Sequence, residues 1–382
     1  MGYSIWGLKF NRNEMSGAFG DLGTDLPLIV AMLAVTDLNA ASILIIFGIM
    51  QLITALVYRL PMPVQPLKAV ALIVITQKVS GAVIFGGGLA IGLTMLILTV
   101  TGLLAYMNRV IPKTVIRGIQ FGLGMQLCLL SLKDYIPDDF IQGYILALAA
   151  FALGLVFIGN KKVPPALIII LLGILYSVVF NFSVFGLFAF QLPAYTMPEI
   201  TMEHVVTGFV LLALPQIPLS LGNSVFATHQ LIKDYFPERK VSVGKIGLTY
   251  SIMNIVGSFF GGLPACHGSG GIAGHYTFGG RTGGSTFIYG LFYIFLGLFI
   301  GHHPQAILSV FPKPILGVIL LFEGIALMLL LKDIITDRRS FFIALVVGLL
   351  ANGLPYGYLA GIVVGTILFY LPKTWLSKHF GR

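Results

Sequence analysis

Two helix-breaking stretches interrupt an otherwise continuous apolar chain, and they limit its folding more than any other feature. Residues 60–71 read Leu-Pro-Met-Pro-Val-Gln-Pro-Leu-Lys-Ala-Val-Ala, and residues 263–275 read Leu-Pro-Ala-Cys-His-Gly-Ser-Gly-Gly-Ile-Ala-Gly-His, with the two Leu-Pro steps 203 residues apart. Each is a break, then a polar turn, then a short apolar run. Around them, 57% of the 382 residues are hydrophobic and 10% are charged, against roughly a quarter charged in a soluble domain. The chain therefore reads as a polytopic membrane protein. In hydrocarbon an unpaired N–H or C=O costs several kcal/mol, so broken backbone is tolerated only where protein or a wet cavity surrounds it. Paired breaks at matching places in two halves point to a transporter's binding site.

Apolar runs bounded by charges and turns give an all-α membrane protein of about fourteen segments. They lie near 17–36, 39–59, 64–79, 88–107, 112–131, 139–159 and 163–181, then 205–230, 244–261, 266–280, 284–301, 311–331, 337–352 and 354–372. The third of each set is too short to span, so each is expected as an extended stretch followed by a half-helix. An internal repeat supports the division. Ile-Pro-Lys-Thr-Val-Ile-Arg-Gly from Ile111 and Phe-Pro-Lys-Pro-Ile-Leu-Gly-Val from Phe311 start 200 residues apart, and both segments end in Leu-Lys-Asp. The expected repeats are 1–190 and 191–382. An odd number of segments in each makes them inverted. With the N-terminus inside, 18 of the 23 Lys and Arg fall at cytoplasmic ends and 3, Lys78, Lys133 and Lys313, at outer ends. That bias orients the chain with both termini in the cytoplasm, in the cell (inner) membrane.

Other function classes are excluded or demoted. The net charge of +9 is scattered over span ends, which does not fit nucleic acid. The polar connections are too short for a soluble catalytic domain. Cys128 and Cys266 lie in apolar surroundings and are not expected to form a disulfide. Residues 1–15 lack a signal-peptide pattern and read as an interfacial helix with Ile5, Trp6, Leu8 and Phe10 on its apolar face.

Four constellations carry candidate chemistry. In segment one, Asp21 and Asp25 are four apart and share a helical face. Carboxylates inside a span are costly and mark functional sites, and Asp21 is the leading candidate for coupling to protons. In the first break, Pro61, Pro63 and Pro66 forbid regular helix. A half-helix is expected from about Pro66, its free N–H groups aimed at mid-membrane, with Gln65 presenting an amide. Lys68 in its first turn fits a substrate contact, a snorkelling cation or a partner for Asp21 or Asp25. In segment eight, Gln216, Ser220 and Asn223 share a face of a helix distorted by Pro215 and Pro218. They either touch substrate or bind helices together. In the second break, Gly268, Ser269, Gly270 and Gly271 open another half-helix, whose successive N–H groups form an anion cradle. His267 is expected beside the substrate. His275 reads as structural, and Glu323, the one acidic residue inside segment twelve, has no partner legible from the sequence.

Two half-helix N-termini facing each other concentrate positive potential with few cations. That arrangement suits a small oxyanion, which offers several acceptor oxygens to Gln65, Asn223, His267 and Ser269. No cofactor or metal is expected, because Cys266, His267 and His275 match no ordinary zinc spacing. A nucleobase transporter, a passive anion channel and, from another class, a membrane enzyme using those three residues stand as alternatives. Gly118 and Gly122, and Gly361 and Gly365, have the spacing of close helix packing, and homodimerisation is left open.

Residues 17–24 (Gly-Ala-Phe-Gly-Asp-Leu-Gly-Thr), 63–68 (Pro-Val-Gln-Pro-Leu-Lys), 215–219 with Asn223-Ser224, and 266–271 running to 281–284 (Arg-Thr-Gly-Gly) resemble the molybdate transporter family of the sulfate permease superfamily. The resemblance covers both halves, with four motifs in order. It implies a seven-plus-seven inverted-repeat fold with a core domain (14–110 and 205–301) and a gate domain (111–182 and 308–373). It further implies a tetrahedral oxyanion, molybdate or sulfate, bound between segments three and ten, and elevator-like alternating access in a lipid membrane. No C-terminal cytoplasmic regulatory domain, of the kind many sulfate permeases carry, is expected.

Overall fold

The computed structural model describes residues 3–157, 160, 165–193, 197–300, 303–354 and 356–372. The fold is a helical bundle whose element order repeats. Ala40–Tyr58, Gly81–Val100, Lys113–Leu130, Phe140–Phe157 and Pro165–Phe180 are followed by counterparts Val243–Phe259, Gly283–Ile300, Lys313–Met328, Arg338–Gly353 and Gly357–Tyr370. Among the described residues, five helical stretches are long and apolar enough to cross a membrane, and a bent pair makes a sixth. The outer surface is apolar: Phe140, Leu148, Val156, Leu171 and Leu175 are all more than half exposed, as a lipid-facing surface requires. Lys161, Lys162, Lys373, Lys378 and Arg382, part of the charge asymmetry, lie outside the described residues.

The two halves interlock. Ala40–Tyr58 packs on Gly283–Ile300 and Gly81–Val100 on Val243–Phe259, while Lys113–Leu130 packs on both Lys313–Met328 and Arg338–Gly353. Small residues bring the backbones together. A Cβ on Gly48 would lie 2.6 Å from the Gly290 carbonyl, and one on Gly124 2.5 Å from that of Gly324. Gly118 and Gly122 meet Ala344, Val347 and Gly348 within the chain, so their spacing serves internal packing.

Several local expectations are corrected. Residues 3–10 form a hairpin, not an interfacial helix: Tyr3–Ile5 pairs antiparallel with Leu8–Phe10. Trp6 (φ 54°) and Gly7 (φ 81°) make the two-residue turn, and two successive positive-φ residues match the right-handed strand twist. Segment one is two helices, Arg12–Ala18 and Leu22–Val35, bent by 40°. Segment four begins at Gly81 rather than near 88. Its Gly86-Gly87-Gly88 run is an interface, since a Cβ on Gly86 would sit 2.3 Å from the His204 carbonyl. Segment eight is one continuous stretch, Met202–Tyr235. Pro215 and Pro218 supply no N–H, and the ladder widens to π turns at Phe209–Ala213 and Ser220–Ala227, a known way of absorbing such a defect.

Candidate functional site

The two breaks meet. Gln65–Pro66 and Ala265–Cys266 form a short antiparallel bridge, with Gln65 opposite Cys266 and Pro66 opposite Ala265. From it run two half-helices, Lys68–Gln77 and Ser269–Thr277, one from each half of the chain. Pro66 thus belongs to the bridge, and the first half-helix starts two residues later than expected. A proline has no ladder N–H to offer but can sit in so short a strand.

Backbone exposed by the breaks is satisfied by side chains that the sequence reading missed. Gln51 donates to the Val64 carbonyl at 2.7 Å and accepts from the Val64 N–H at 2.8 Å. Asn254 does the same for Ala265, at 2.7 and 3.0 Å. Thr286 accepts from the Met62 N–H at 3.1 Å, and Thr228 donates to the His267 carbonyl at 2.7 Å. Gln51 and Asn254 are buried and stand 203 residues apart, the same offset as the breaks. That shared offset of two lone amides in apolar helices was the signal that could have found them.

The N-terminus of the first half-helix is not free. Gln216 Oε1 accepts from the N–H groups of Ala69 at 3.0 Å and Val70 at 3.3 Å, while its amide donates to Ser220 Oγ, which bonds the Tyr250 hydroxyl. Gln216 is a cap of this helix, and the expectation of unoccupied N–H groups there is corrected. At the second half-helix the N-cap residue is Gly268, which has no side chain to cap with. Ser269 Oγ donates to Asn223 Oδ1 at 2.7 Å, which ties that helix start to Met202–Tyr235.

Three unpartnered polar atoms, of Asp21, Gln65 and Glu323, gather around this second N-terminus. Asp21 is fully buried at the bend before Leu22–Val35; its Oδ1 accepts from Gln65 Nε2 at 2.7 Å and its Oδ2 has no hydrogen-bond partner. A Cβ on Gly271 would fall 2.4 Å from Asp21 Oδ2, one on Gly270 2.2 Å from Glu323 Oε1, and one on Gly268 1.5 Å from Gln65 Oε1. Glycine at 268, 270 and 271 is therefore what lets these side chains reach the helix start. Glu323 Oε1, Gln65 Oε1 and Lys68 Nζ are likewise buried without hydrogen-bond partners. Lys68 acts electrostatically on Asp21, Asp25 and Glu323. It also lines a cavity of about 420 Å³ with Gln126, Pro215, Pro218, Tyr356 and Tyr358. The site thus combines helix-end N–H groups, one ammonium and buried carboxylates: an anion can be held there, and its charge balanced by protons.

Asp25 belongs to the same buried group: its Oδ1 has no hydrogen-bond partner and its Oδ2 accepts from the Tyr289 hydroxyl at 3.1 Å. Other predicted residues lie elsewhere. The His267 ring meets Thr249 Oγ1 at 3.1 Å through Nε2 and the Pro63 carbonyl at 3.4 Å through Nδ1, with its edge against Tyr58. Both nitrogens are held by protein groups, so the ring belongs to the scaffold rather than to a ligand, because the chain turns at Gly268 before reaching the helix start. His275 pairs with Ser285 Oγ at 3.1 Å. Unforeseen was Glu14, whose carboxylate accepts from the N–H groups of Arg281, Thr282 and Ser285 at 2.9–3.1 Å and caps the helix Gly283–Ile300.

Comparison with known proteins agrees with this geometry. A family model described as "Molybdate transporter of MFS superfamily" matches residues 13–127 and 208–327, which include both breaks. "Molybdate transporter 2" of Arabidopsis thaliana is 31% identical over 93% of this chain and 87% of its own length. "Molybdate transporter 1" of the same plant is 31% identical over 97% and 89%. Among solved structures, the transmembrane domain of a cyanobacterium bicarbonate transporter, BicA, superposes with a TM-score of 0.57 at 16% identity, over 94% of this chain and 97% of its own. The murine anion transporter Slc26a9 in its inward-facing state does so with a TM-score of 0.59 at 15% identity, over 98% and 70%; at such identities the likeness is one of fold. By sequence along nearly all its length, and with a fold shared with anion transporters, this chain belongs to the molybdate transporter family.

Proposed function

We propose that this protein is a secondary transporter that imports a tetrahedral oxyanion, molybdate first and sulfate with it, by elevator-like alternating access coupled to protons. The observation that carries the reading is the Gln65–Cys266 bridge, which ties the starts of two half-helices from opposite repeats to one spot. Helix N-termini favour negative charge. Here the start at Ser269, with Gly270 and Gly271, supplies N–H donors, and Lys68 adds a buried cation without a large basic patch. Gln65 and Asn223 orient the site. Relatives named molybdate transporters support molybdate over sulfate.

The moving body in this reading is the core domain, 14–110 and 205–301, against a gate domain, 111–182 and 308–373. The packing of Ala40–Tyr58 on Gly283–Ile300, and of Lys113–Leu130 on Lys313–Met328 and Arg338–Gly353, supports that grouping. The protein sits in the cell (inner) membrane with both termini cytoplasmic, as the charge bias supports, and homodimers are compatible with its apolar exterior. Uptake of labelled molybdate into proteoliposomes, in competition with sulfate, tungstate and uracil, tests the reading. Competition by tungstate and sulfate but not uracil is expected. Competition by uracil alone, or equilibration without uphill accumulation, rejects it.

A further inference from the structure

Glu323 stands on Lys313–Met328, yet its contacts are with the other group of packed helices. Its Oε2 accepts from Thr24 Oγ1 at 3.0 Å, and Thr24 lies on Leu22–Val35. Its Oε1 has no hydrogen-bond partner and rests against Gly270, in the first turn of Ser269–Thr277. The residue is fully buried. Its helix is bound closely to Lys113–Leu130: a Cβ on Gly324 would lie 2.7 Å from the Gly124 carbonyl. Glu323 therefore reaches from one packing group into the anion cradle of the other.

Titratable groups of several neighbouring elements interact with it electrostatically: Asp21 at the bend, Asp25 on Leu22–Val35 and Lys68 on the first half-helix, and Cys128 and Tyr135 on the segment that follows Lys113. The half-helix Ser269–Thr277 presents glycine backbone. One ammonium thus faces three carboxylates in a buried space. A dianion added at the same helix start would meet further repulsion unless carboxylates there were neutralised, since like charges at a few ångströms in a dry site repel strongly.

We propose that Glu323 is a proton-binding residue of the transport cycle, which must take up a proton before the oxyanion can occupy the Gly270–Gly271 end of the half-helix. The inference rests on the oxyanion reading above. Ionised, Glu323 holds the cradle itself and keeps its bond to Thr24 across the two groups of helices. On uptake of a proton the carboxylate becomes a neutral acid, its negative charge leaves the cradle, and the oxyanion takes its place. Release of that proton on the other side restores the carboxylate and expels the anion. Because the acid is carried by one group of helices and the cradle by the other, the proton is linked to their relative position.

Equilibrium binding of labelled molybdate, with sulfate as a second probe, to purified protein in detergent between pH 6 and 8.5 tests this. One linked proton makes affinity fall about tenfold per pH unit above its titration range. Glu323→Gln, which mimics the neutral acid, is expected to bind and to lose about that factor per pH unit relative to the wild type. An unchanged pH slope in that variant overturns the proposal. Should Glu323→Gln not fold, Thr24→Val serves: it removes a donor to the carboxylate, so the binding midpoint is expected to move to higher pH, and an unmoved midpoint overturns the proposal. Wild-type binding without any pH dependence defeats the role of Glu323 alone, whereas no oxyanion binding at any pH defeats the transport reading itself.

Discussion

Gln51 holds Val64 by both of its backbone polar groups, donating to the carbonyl at 2.7 Å and accepting from the N–H at 2.8 Å. The clamp closes the polar backbone of the first break within a buried environment. Gln51→Leu keeps the volume and abandons both groups. At about 1–3 kcal/mol for each buried group left unpaired, a clear fall in melting temperature in detergent is expected, and Asn254→Leu should repeat it in the second half. A melting temperature within a degree of the wild type would contradict the clamp.

Gly268 is fixed by space, since a Cβ there would overlap Gln65 Oε1 at 1.5 Å. Gly268→Ala must push Gln65 away from Asp21, and molybdate uptake should fall by at least about tenfold, the effect of a loss near 1.4 kcal/mol. Gly244→Ala is the control. Its Cβ would meet nothing nearer than Ser242 Oγ at 3.9 Å, and alanine suits a helix better than glycine. Equal uptake by the two variants would remove the steric argument.

Arg117, 2% exposed, pairs with Asp234 at 2.7 Å and Asp333 at 2.6 Å. Asp234 lies in Met202–Tyr235 and Arg117 in Lys113–Leu130, so the pair ties elements assigned above to different moving bodies. Arg117→Met should cost on the order of 3 kcal/mol, as removal of one partner of a buried pair does. Asp234→Asn should cost less than half of that, because Arg117 keeps Asp333, and should alter the uptake rate more than it alters stability. Thermal melts and initial rates measured together separate the two effects.

Ser269 Oγ donates to Asn223 Oδ1 at 2.7 Å and orders the start of the second half-helix. Ser269→Ala loses about 1 kcal/mol of hydrogen bonding, so oxyanion affinity in detergent should weaken about fivefold, and Gln65→Ala at least as much. Unchanged affinities in both would move the site elsewhere.

Asp21 carries one bond, from Gln65, and one unpartnered oxygen. In the proton-coupled cycle, wild-type uptake rises as the external pH falls, because the carboxyl must be protonated to carry the coupling. Asp21→Asn is permanently neutral, so its uptake should lose one proton's share of the pH dependence and keep the share linked to Glu323. Retention of the wild-type pH dependence would show that Asp21 is not the coupling group.

Much of the fold was legible in the chain. Pro61, Pro63, Pro66 and Pro264 forced the breaks, hydropathy located most segments, and the repeat from Ile111 and Phe311 paired the halves. Asp21, Gln65, Lys68 and Gly268 to Gly271 stand out as candidates by residue type in an apolar setting, and the structure places Asp21 and Gln65 against Gly271 and Gly268. The misses have local causes. Gly86 and Gly87 fall outside segment four as hydropathy bounds it, yet they lie inside the helix, where a neighbour's carbonyl sits 2.3 Å from the missing Cβ of Gly86. Of the two roles open to Gln216, substrate contact or binding helices together, its oxygen on Ala69 and Val70 takes the second. His267 reads as a ligand until both ring nitrogens are accounted for.

Alone, the sequence determined a membrane chain, two inverted halves, broken third segments and glycine at the second half-helix start. These follow from composition, proline chemistry and spacing, which act over a few residues at a time. Only the tertiary structure decided which groups close the broken backbone, that Gln216 caps the first half-helix, and that Glu323 arrives at Gly270. Those choices join residues up to 224 positions apart. They depend on how closely glycine-lined helices cross, a distance that no one-dimensional pattern records.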